Sequence, residues 1–386
     1  MSKARKKPLR FTHLRLQNWR NFTQVDVDLQ GRVFLLGPNA SGKSNLLDVF
    51  RFLHDIASIG GGFLAAVGKP WRGGFSKLKS LTGRHHADIG IEVHMGNDKS
   101  PRQWEYELHF AQEAISLPKI KRERVVKQGK ELKRRPDRQD DKDPLRLTQT
   151  YLEQVSVNQD FRELAEFFTS VSYLHLVPQV VRRLIYAASS EDPFGGSLLR
   201  RIADLPEKER TARLRLIRDA LRAAVPQLKE LQFSFDPVER QPHLQSEFEH
   251  LQGALQQEDQ FSDGTLRLIG MIWSLLDGTG PLLLEEPELS LHPALLRVLP
   301  WLFYRIADRE PRQVMVSTHS PELLREEGIG LNEVLLLQPG PEGTSVQPAG
   351  SFEQIQTLVS AGLNLDEAVM PHTSPPKVLD MALLGA

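Results

Sequence analysis

The stretch LLGPNASGKSNLLD, Leu35 to Asp48, constrains this chain more than any other. Within it Gly37, Gly42, Lys43 and Ser44 fit G-x-x-x-x-G-K-[ST], the pattern of a phosphate-binding loop. GRVFLL before it reads as a short buried strand, and NLLDVFRFLHDI after it carries apolar residues at helical spacing. Strand, loop and helix in that order argue against a chance glycine-rich turn. Gly37 and Gly42 allow a tight turn whose backbone N–H groups face phosphate oxygens, and the positive end of the following helix adds to the attraction. The expected cradle is Gly37, Pro38, Asn39, Ala40, Ser41, Gly42, Lys43, Ser44 and Asn45. Lys43 would reach the β and γ phosphates of ATP, and the Ser44 hydroxyl would complete a Mg²⁺ shell. The loop names a ligand; it does not name a function.

Composition sets outer bounds. The 386 residues, 40% hydrophobic and 25% charged, suit a soluble globular protein of one large or two intertwined domains. Basic and acidic residues balance at 49 each, so any nucleic-acid surface has to be a local patch. The absence of cysteine excludes disulfides, thiol catalysis and cysteine-based zinc sites, and fits a reducing compartment. The longest apolar run, LIGMIWSLL, falls far short of the ~20 residues of a membrane span. The basic MSKARKKPLR has no apolar segment behind it, unlike a secretory signal. The expectation is a cytoplasmic protein with no membrane partner.

Three later stretches carry further chemistry. FSDGTLRLIGMIWSLLD, from Phe261, opens with a capping Ser-Asp-Gly and continues as an amphipathic helix whose first N–H groups can receive an anion. PLLLEEPELSLHP, from Pro281, is an apolar strand that delivers two carboxylates at its end. Glu285 would hold the water of Mg²⁺, and Glu286 would orient and deprotonate the attacking water. QVMVSTHSPELL, from Gln313, is another β-rich run ending in His319, where a side chain can touch a γ-phosphate. Lys43, Glu286 and His319 form the expected catalytic set.

In the order of these motifs the chain resembles the heads of ABC-type ATPases, in the RecF/SMC-like and OLD-like branch of AAA-family ATPases. Walker A falls at Gly37 to Ser44, the signature at Ser262 to Leu266, Walker B at Leu282 to Glu286, the D-loop near Leu289 to His292 and the switch histidine at His319. LRFTHLRLQNWRNFTQVDVDL is similar to the strand, turn and strand that open such heads. The resemblance covers residues 9–55 and 255–340 well and the middle poorly. It implies an α/β fold, a P-loop NTPase of ABC type with a mixed central sheet flanked by helices, an antiparallel β lobe and an inserted helical lid. The head would occupy 1–110 and 255–345, the lid and lobe 111–254, and a C-terminal extension 346–386. It also implies a head-to-tail, ATP-dependent homodimer in which Ser262, Asp263 and Gly264 of one subunit meet ATP held by the other. Arg20, in QNWRNF, matches a basic residue that nears the nucleotide in related heads; surface charge is the alternative. Gln179, in YLHLVPQ, is the candidate for the glutamine that reaches the metal, and an ordinary polar loop residue is the alternative. In transporter ATPases the signature reads Ser-Gly-Gly-Gln and Walker B ends in Asp-Glu. Here Asp263 and Thr265 replace Gly and Gln, Glu285 replaces Asp, and His292 stands for the D-loop Asp.

Between Ser44 and Ser262, LPKIKRERVVKQGKELKRRPDRQDDKDP contains Gly and Pro and lacks sustained heptads, which excludes long coiled-coil arms. It also gathers nine Lys and Arg from Lys119 to Arg135, with VVKQGKEL as a hairpin turn. A basic face there can follow the phosphates of DNA; the alternative is a solvated hairpin. Residues 320–386 hold a second hairpin, GPEGTSV, and no acidic Glu plus Asp-x-Asp set of a Toprim nuclease. Any nuclease or toxin effector is therefore expected on another polypeptide. The sum is an ATP-hydrolysing switch in DNA repair or anti-phage defence. A transporter's cytosolic subunit and a scaffold that binds ATP without hydrolysis are the alternatives.

Overall fold

Alternation of buried and exposed side chains builds the first layer. The computed structural model describes residues 9–82, 88–113, 116–182, 192–249, 253–309 and 312–373. In β1 (Arg10–Trp19), Leu14 and Leu16 are buried while Arg15 between them faces solvent, the period-2 pattern of a half-covered sheet. β1 pairs with β2 (Phe22–Asp28) and β4 (Ile89–Asn97), and β5 (Ser100–Ala111), β6 (Lys119–Lys127) and β7 (Lys130–Arg135) follow, giving the antiparallel order β2-β1-β4-β5-β6-β7. The basic hairpin forms as read from VVKQGKEL, but as the edge of this lobe, so the sheet runs straight across residue 110. A small sheet of β9 (Leu228–Asp236), β10 (Gln241–Phe248) and β11 (Leu255–Gln257) packs with the helix Glu207–Leu221 in the middle segment.

The second large sheet carries the motifs. Its strands are β3 (Arg32–Leu36), β8 (Ser172–Leu174), β12 (Leu282–Glu285), β13 (Val314–Ser317), β14 (Val334–Gly340) and β15 (Gly343–Pro348), in the order β15-β14-β3-β13-β12-β8. All are parallel to their neighbours except β15. Both faces are covered. Val33, Leu35, Leu283 and Met315 enter one hydrophobic core with the antiparallel lobe. Phe34, Leu36, Leu284 and Val316 enter a second core with the helix Asp263–Leu276. Two-sided burial explains why LLL and VMV run without polar interruption. The architecture is α/β, with the mixed sheet and antiparallel lobe that the motif order implied.

Helix α1 (Lys43–Ala57) leaves the P-loop through Gly42, whose φ of 99° only glycine adopts without strain. A side chain at Gly42 would also run into the Asn21 amide. α1 buries Leu46, Val49, Phe50 and Leu53, and its buried Asp48 and Asp55 are both bound by the fully buried Arg72. Among the described residues, no helix is long and apolar enough to cross a membrane.

Candidate functional site

Parallel register decides what meets at the site. Leu35 stands beside Ser317, and Ser317 beside Glu285, so β3, β13 and β12 deliver the P-loop, His319 and the two glutamates side by side at their carboxyl ends. Open α/β sheets bind ligands at such edges. The turns beyond are fixed by backbone bonds: Thr318 N–H donates to Leu35 O at 3.1 Å and Glu286 N–H to Ser317 O at 3.0 Å. Glu286 sits at a φ of 43°, a conformation uncommon for a side chain with a Cβ and one that often marks functional positions.

Within this edge the expected residues converge. The Ser44 hydroxyl donates to Glu285 Oε1. His319 Nε2 lies 3.6 Å from Glu286 Oε1. Lys43 is buried, its Nζ donating to Gly37 O at 2.9 Å and Pro38 O at 3.3 Å across the loop. Burial pulls the Lys43 ammonium below its ordinary range, against the attraction of Glu286, Glu288 and Glu285. Burial likewise pushes the Glu285 carboxyl up and pulls His319 down, with Lys43 acting in the same direction on the imidazole. At Gly37 a Cβ would lie 2.5 Å from Leu337 O and 2.6 Å from Ser41 Oγ, so the loop is packed too tightly there for any side chain. Asn39 and Ala40 at its crest are exposed. A hydroxyl beside carboxylate oxygens is the hard oxygen set that Mg²⁺ takes, and the lysine, glycines and helix start suit a triphosphate. The donor set therefore fits Mg²⁺ and ATP.

Two other sequence candidates are placed differently. Arg20 is held at the end of β1, its Nη2 2.9 Å from Asp48 on α1. With Asn21, Asn45, Lys77, Lys79 and Thr344 it lines a cleft of about 680 Å³ beside the loop. Gln179, in the short helix Pro178–Arg182, does not reach Ser44 or Glu285; its Nε2 lies 3.4 Å from Asp263 Oδ2. The middle segment instead brings Tyr173, on β8, whose hydroxyl donates to Glu285 Oε2.

Ser262 caps the signature helix, its Oγ accepting from Thr265 N–H at 3.2 Å. Asp263 is ion-paired to Arg182 at 2.6 Å. Gly264 faces the D-loop, where a Cβ would lie 2.7 Å from Ser290 O. His292 caps the next turn, accepting from Ala294 N–H at 3.1 Å. Sequence reasoning missed Glu288, whose Oε1 accepts from the Thr318 hydroxyl and the His319 N–H, both at 2.8 Å. It also missed Asn21, which donates to Ser41 O at 2.7 Å, accepts from Asn45 at 2.9 Å and bonds Thr344.

The basic hairpin carries less free charge than its nine cations suggest. Glu107 on β5 binds Arg122 at 3.0 Å and Arg124 at 2.9 Å. Lys121 pairs with Glu113 and Lys127 with Glu163. Arg135 is fully buried on Asp140 at 3.0 Å and over the Tyr151 ring at 4.1 Å. Lys130 and Arg134 stay exposed. Arg135 therefore belongs to the core of the lobe and not to a surface that follows DNA.

Comparison with known proteins identifies the family and the fold. A family model described as AAA domain, putative AbiEii toxin, type IV TA system matches residues 32–325. Among solved structures, the Smc head domain with an extended coiled coil bound to the C-terminal domain of ScpA, derived from Pyrococcus furiosus, is similar in fold. Its TM-score is 0.52 at 11% identity, covering 92% of this chain and 100% of that one. The SmcHead bound to the C-winged helix domain of ScpA gives 0.50 at 12% identity, covering 87% and 96%. At such identities the likeness is one of fold. No curated protein matches the sequence.

Proposed function

The chain belongs to the AAA-domain family described as putative AbiEii toxin, type IV TA system, and from that premise we propose that it is an ATP-hydrolysing switch. Two copies close head-to-tail around ATP, open on hydrolysis, and act through a separate effector protein in DNA repair or anti-phage defence. The observation that carries the reading is the convergence of Lys43, Ser44, Glu285, Glu286 and His319 on one sheet edge. Lys43 exchanges its two loop carbonyls for the β and γ phosphates. Ser44 and Glu285 would hold Mg²⁺, which when bound would neutralise phosphate charge. Glu286 orients the attacking water and takes its proton, and His319 steadies Glu286 and the terminal phosphate. The cleft lined by Arg20 and Asn45 has room for the base and ribose.

On the partner's side, Ser262 and Gly264 at the start of a 14-residue helix offer N–H groups to the γ-phosphate. An unpaired Asp263 there would repel a triphosphate; its ion pair with Arg182 offsets that charge, which supports reading Asp263 as part of a working signature. The family's description as a putative toxin of a toxin–antitoxin system supports a role beside a second protein.

Phosphate release tests the chemistry. The wild-type chain should release phosphate from ATP, which separates the switch from a scaffold that only binds. Glu286→Gln should bind ATP as wild type does and turn over ~10²-fold more slowly, the scale of general-base loss. Release at the wild-type rate in that variant would remove Glu286 from its role.

A further inference from the structure

Glu285 is the unusual member of the site, a glutamate where the transporter pattern has the shorter aspartate. Its extra methylene adds a torsion, and a free glutamate would sample positions away from the metal. The fold removes that freedom from both sides. Oε1 accepts from the Ser44 hydroxyl and Oε2 from the Tyr173 hydroxyl. Tyr173 is held in line by strand register, since β8 runs parallel to β12 with Tyr173 opposite Leu283, two residues before Glu285. Its ring is covered in turn. Arg51 lies seven residues after Ser44 on α1, two turns along the same face, with its Cζ 4.7 Å from the Tyr173 ring centroid and 4.4 Å from that of Trp71. One helix face thus supplies both the hydroxyl that meets Oε1 and the cation that backs the phenol on Oε2. Gln179 lies elsewhere, beside Asp263.

We propose that Tyr173 is a positioning residue for the metal-binding carboxylate: it fixes Glu285 through Oε2 so that Oε1 and the Ser44 hydroxyl face the Mg²⁺ shell, and Arg51 stacked on its ring holds the phenol in place. The inference rests on the nucleotide and metal reading given above. It accounts for the glutamate in Walker B, because an aspartate in the same backbone position would fall short of the phenol. It also assigns to Tyr173 the link between middle segment and metal site that the sequence suggested for Gln179.

The test separates metal binding from nucleotide binding. Mn²⁺ serves as the probe, with free Mn²⁺ measured by electron paramagnetic resonance in the presence of AMP-PNP. A fluorescent mant-ATP titration in EDTA reports metal-free nucleotide affinity. Tyr173→Phe, which keeps the ring and the stack, should raise the Mn²⁺ Kd about tenfold, the size expected for a lost hydrogen bond to a charged acceptor, with the EDTA titration unchanged. In a Glu285→Asp background the same substitution should change nothing further, since the contact is already gone. Unchanged Mn²⁺ affinity in Tyr173→Phe would overturn the proposal, as would equal weakening in both titrations, which marks a packing role. Wild-type chain that binds neither mant-ATP nor Mn²⁺ would overturn the site reading and this proposal together.

Discussion

Removing the Glu288 carboxylate should slow turnover without loosening the nucleotide. Its Oε1 accepts from the Thr318 hydroxyl and from the His319 N–H, both at 2.8 Å, and so pins the turn that brings His319 to 3.6 Å from Glu286. Glu288→Ala removes both acceptors at once. Each hydrogen bond to a charged acceptor is worth about 1.5–3 kcal/mol. The loss of one such bond, about 2 kcal/mol, sets the scale of the effect. That loss falls on the His319 turn, where a displacement of about 1 Å costs on the order of 10²-fold in rate. Steady-state phosphate release should therefore drop ~10²-fold in Glu288→Ala, while the mant-ATP Kd stays within about threefold, the signature of an interaction used in turnover and not in binding. Glu288→Gln keeps an amide oxygen for the His319 N–H and should retain roughly a tenth of the rate or more. Glu288→Ala at the wild-type rate would refute the reasoning, and equal losses in affinity and rate would show that the substitution disrupts the loop itself.

Two further outcomes follow from the antiparallel lobe. Arg135→Glu should cost about 3–5 kcal/mol, the scale of breaking a buried ion pair, because it removes the cation that pairs with the buried Asp140 and sets another acid against it; the exposed pair Lys130→Glu and Arg134→Glu should leave the Tm at the wild-type value, and thermal melts compare the two. Glu123 is fully buried, and burial pushes its carboxyl up to about 7 from 4.5. The folded chain therefore holds a proton between those pH values that the unfolded chain has released, so this contribution is complete below pH 4.5 and is lost as pH rises through about 7. Glu123→Gln should flatten the fall in Tm between roughly pH 5 and pH 8; an unchanged slope would contradict the assignment.

How much the sequence disclosed depended on range along the chain. The P-loop, the strand before it, α1 and the capped signature helix were legible because each signal lies within a few residues. The convergence of Lys43, Glu285, Glu286 and His319 was legible through motif order, and parallel register carries it out. Tyr173 was not, because it meets Glu285 from a three-residue strand 112 positions away, too short for any periodic signal. Gln179 follows the apolar run YLHLV in sequence, but the helix Pro178–Arg182 turns it toward Asp263. The basic hairpin is legible as a hairpin, but how much of its charge stays free is not. Counting charges along β6 and β7 cannot see Glu107 on the neighbouring strand, or the burial of Arg135 beneath Tyr151. Glu288 acquires its role from a turn 30 residues away, which no local signal marks.

In the proposed cycle ATP joins two copies of this chain and hydrolysis parts them. Sedimentation velocity of Glu286→Gln with and without ATP and Mg²⁺ tests it most directly, since the variant should trap the closed state. A shift to dimer is expected on adding ATP, abolished by adding Ser262→Arg, which places a bulky cation where the signature meets the partner's γ-phosphate. An identical sedimentation profile with and without ATP would contradict it, and a shift that persists in the double variant would show that the copies join through a different surface.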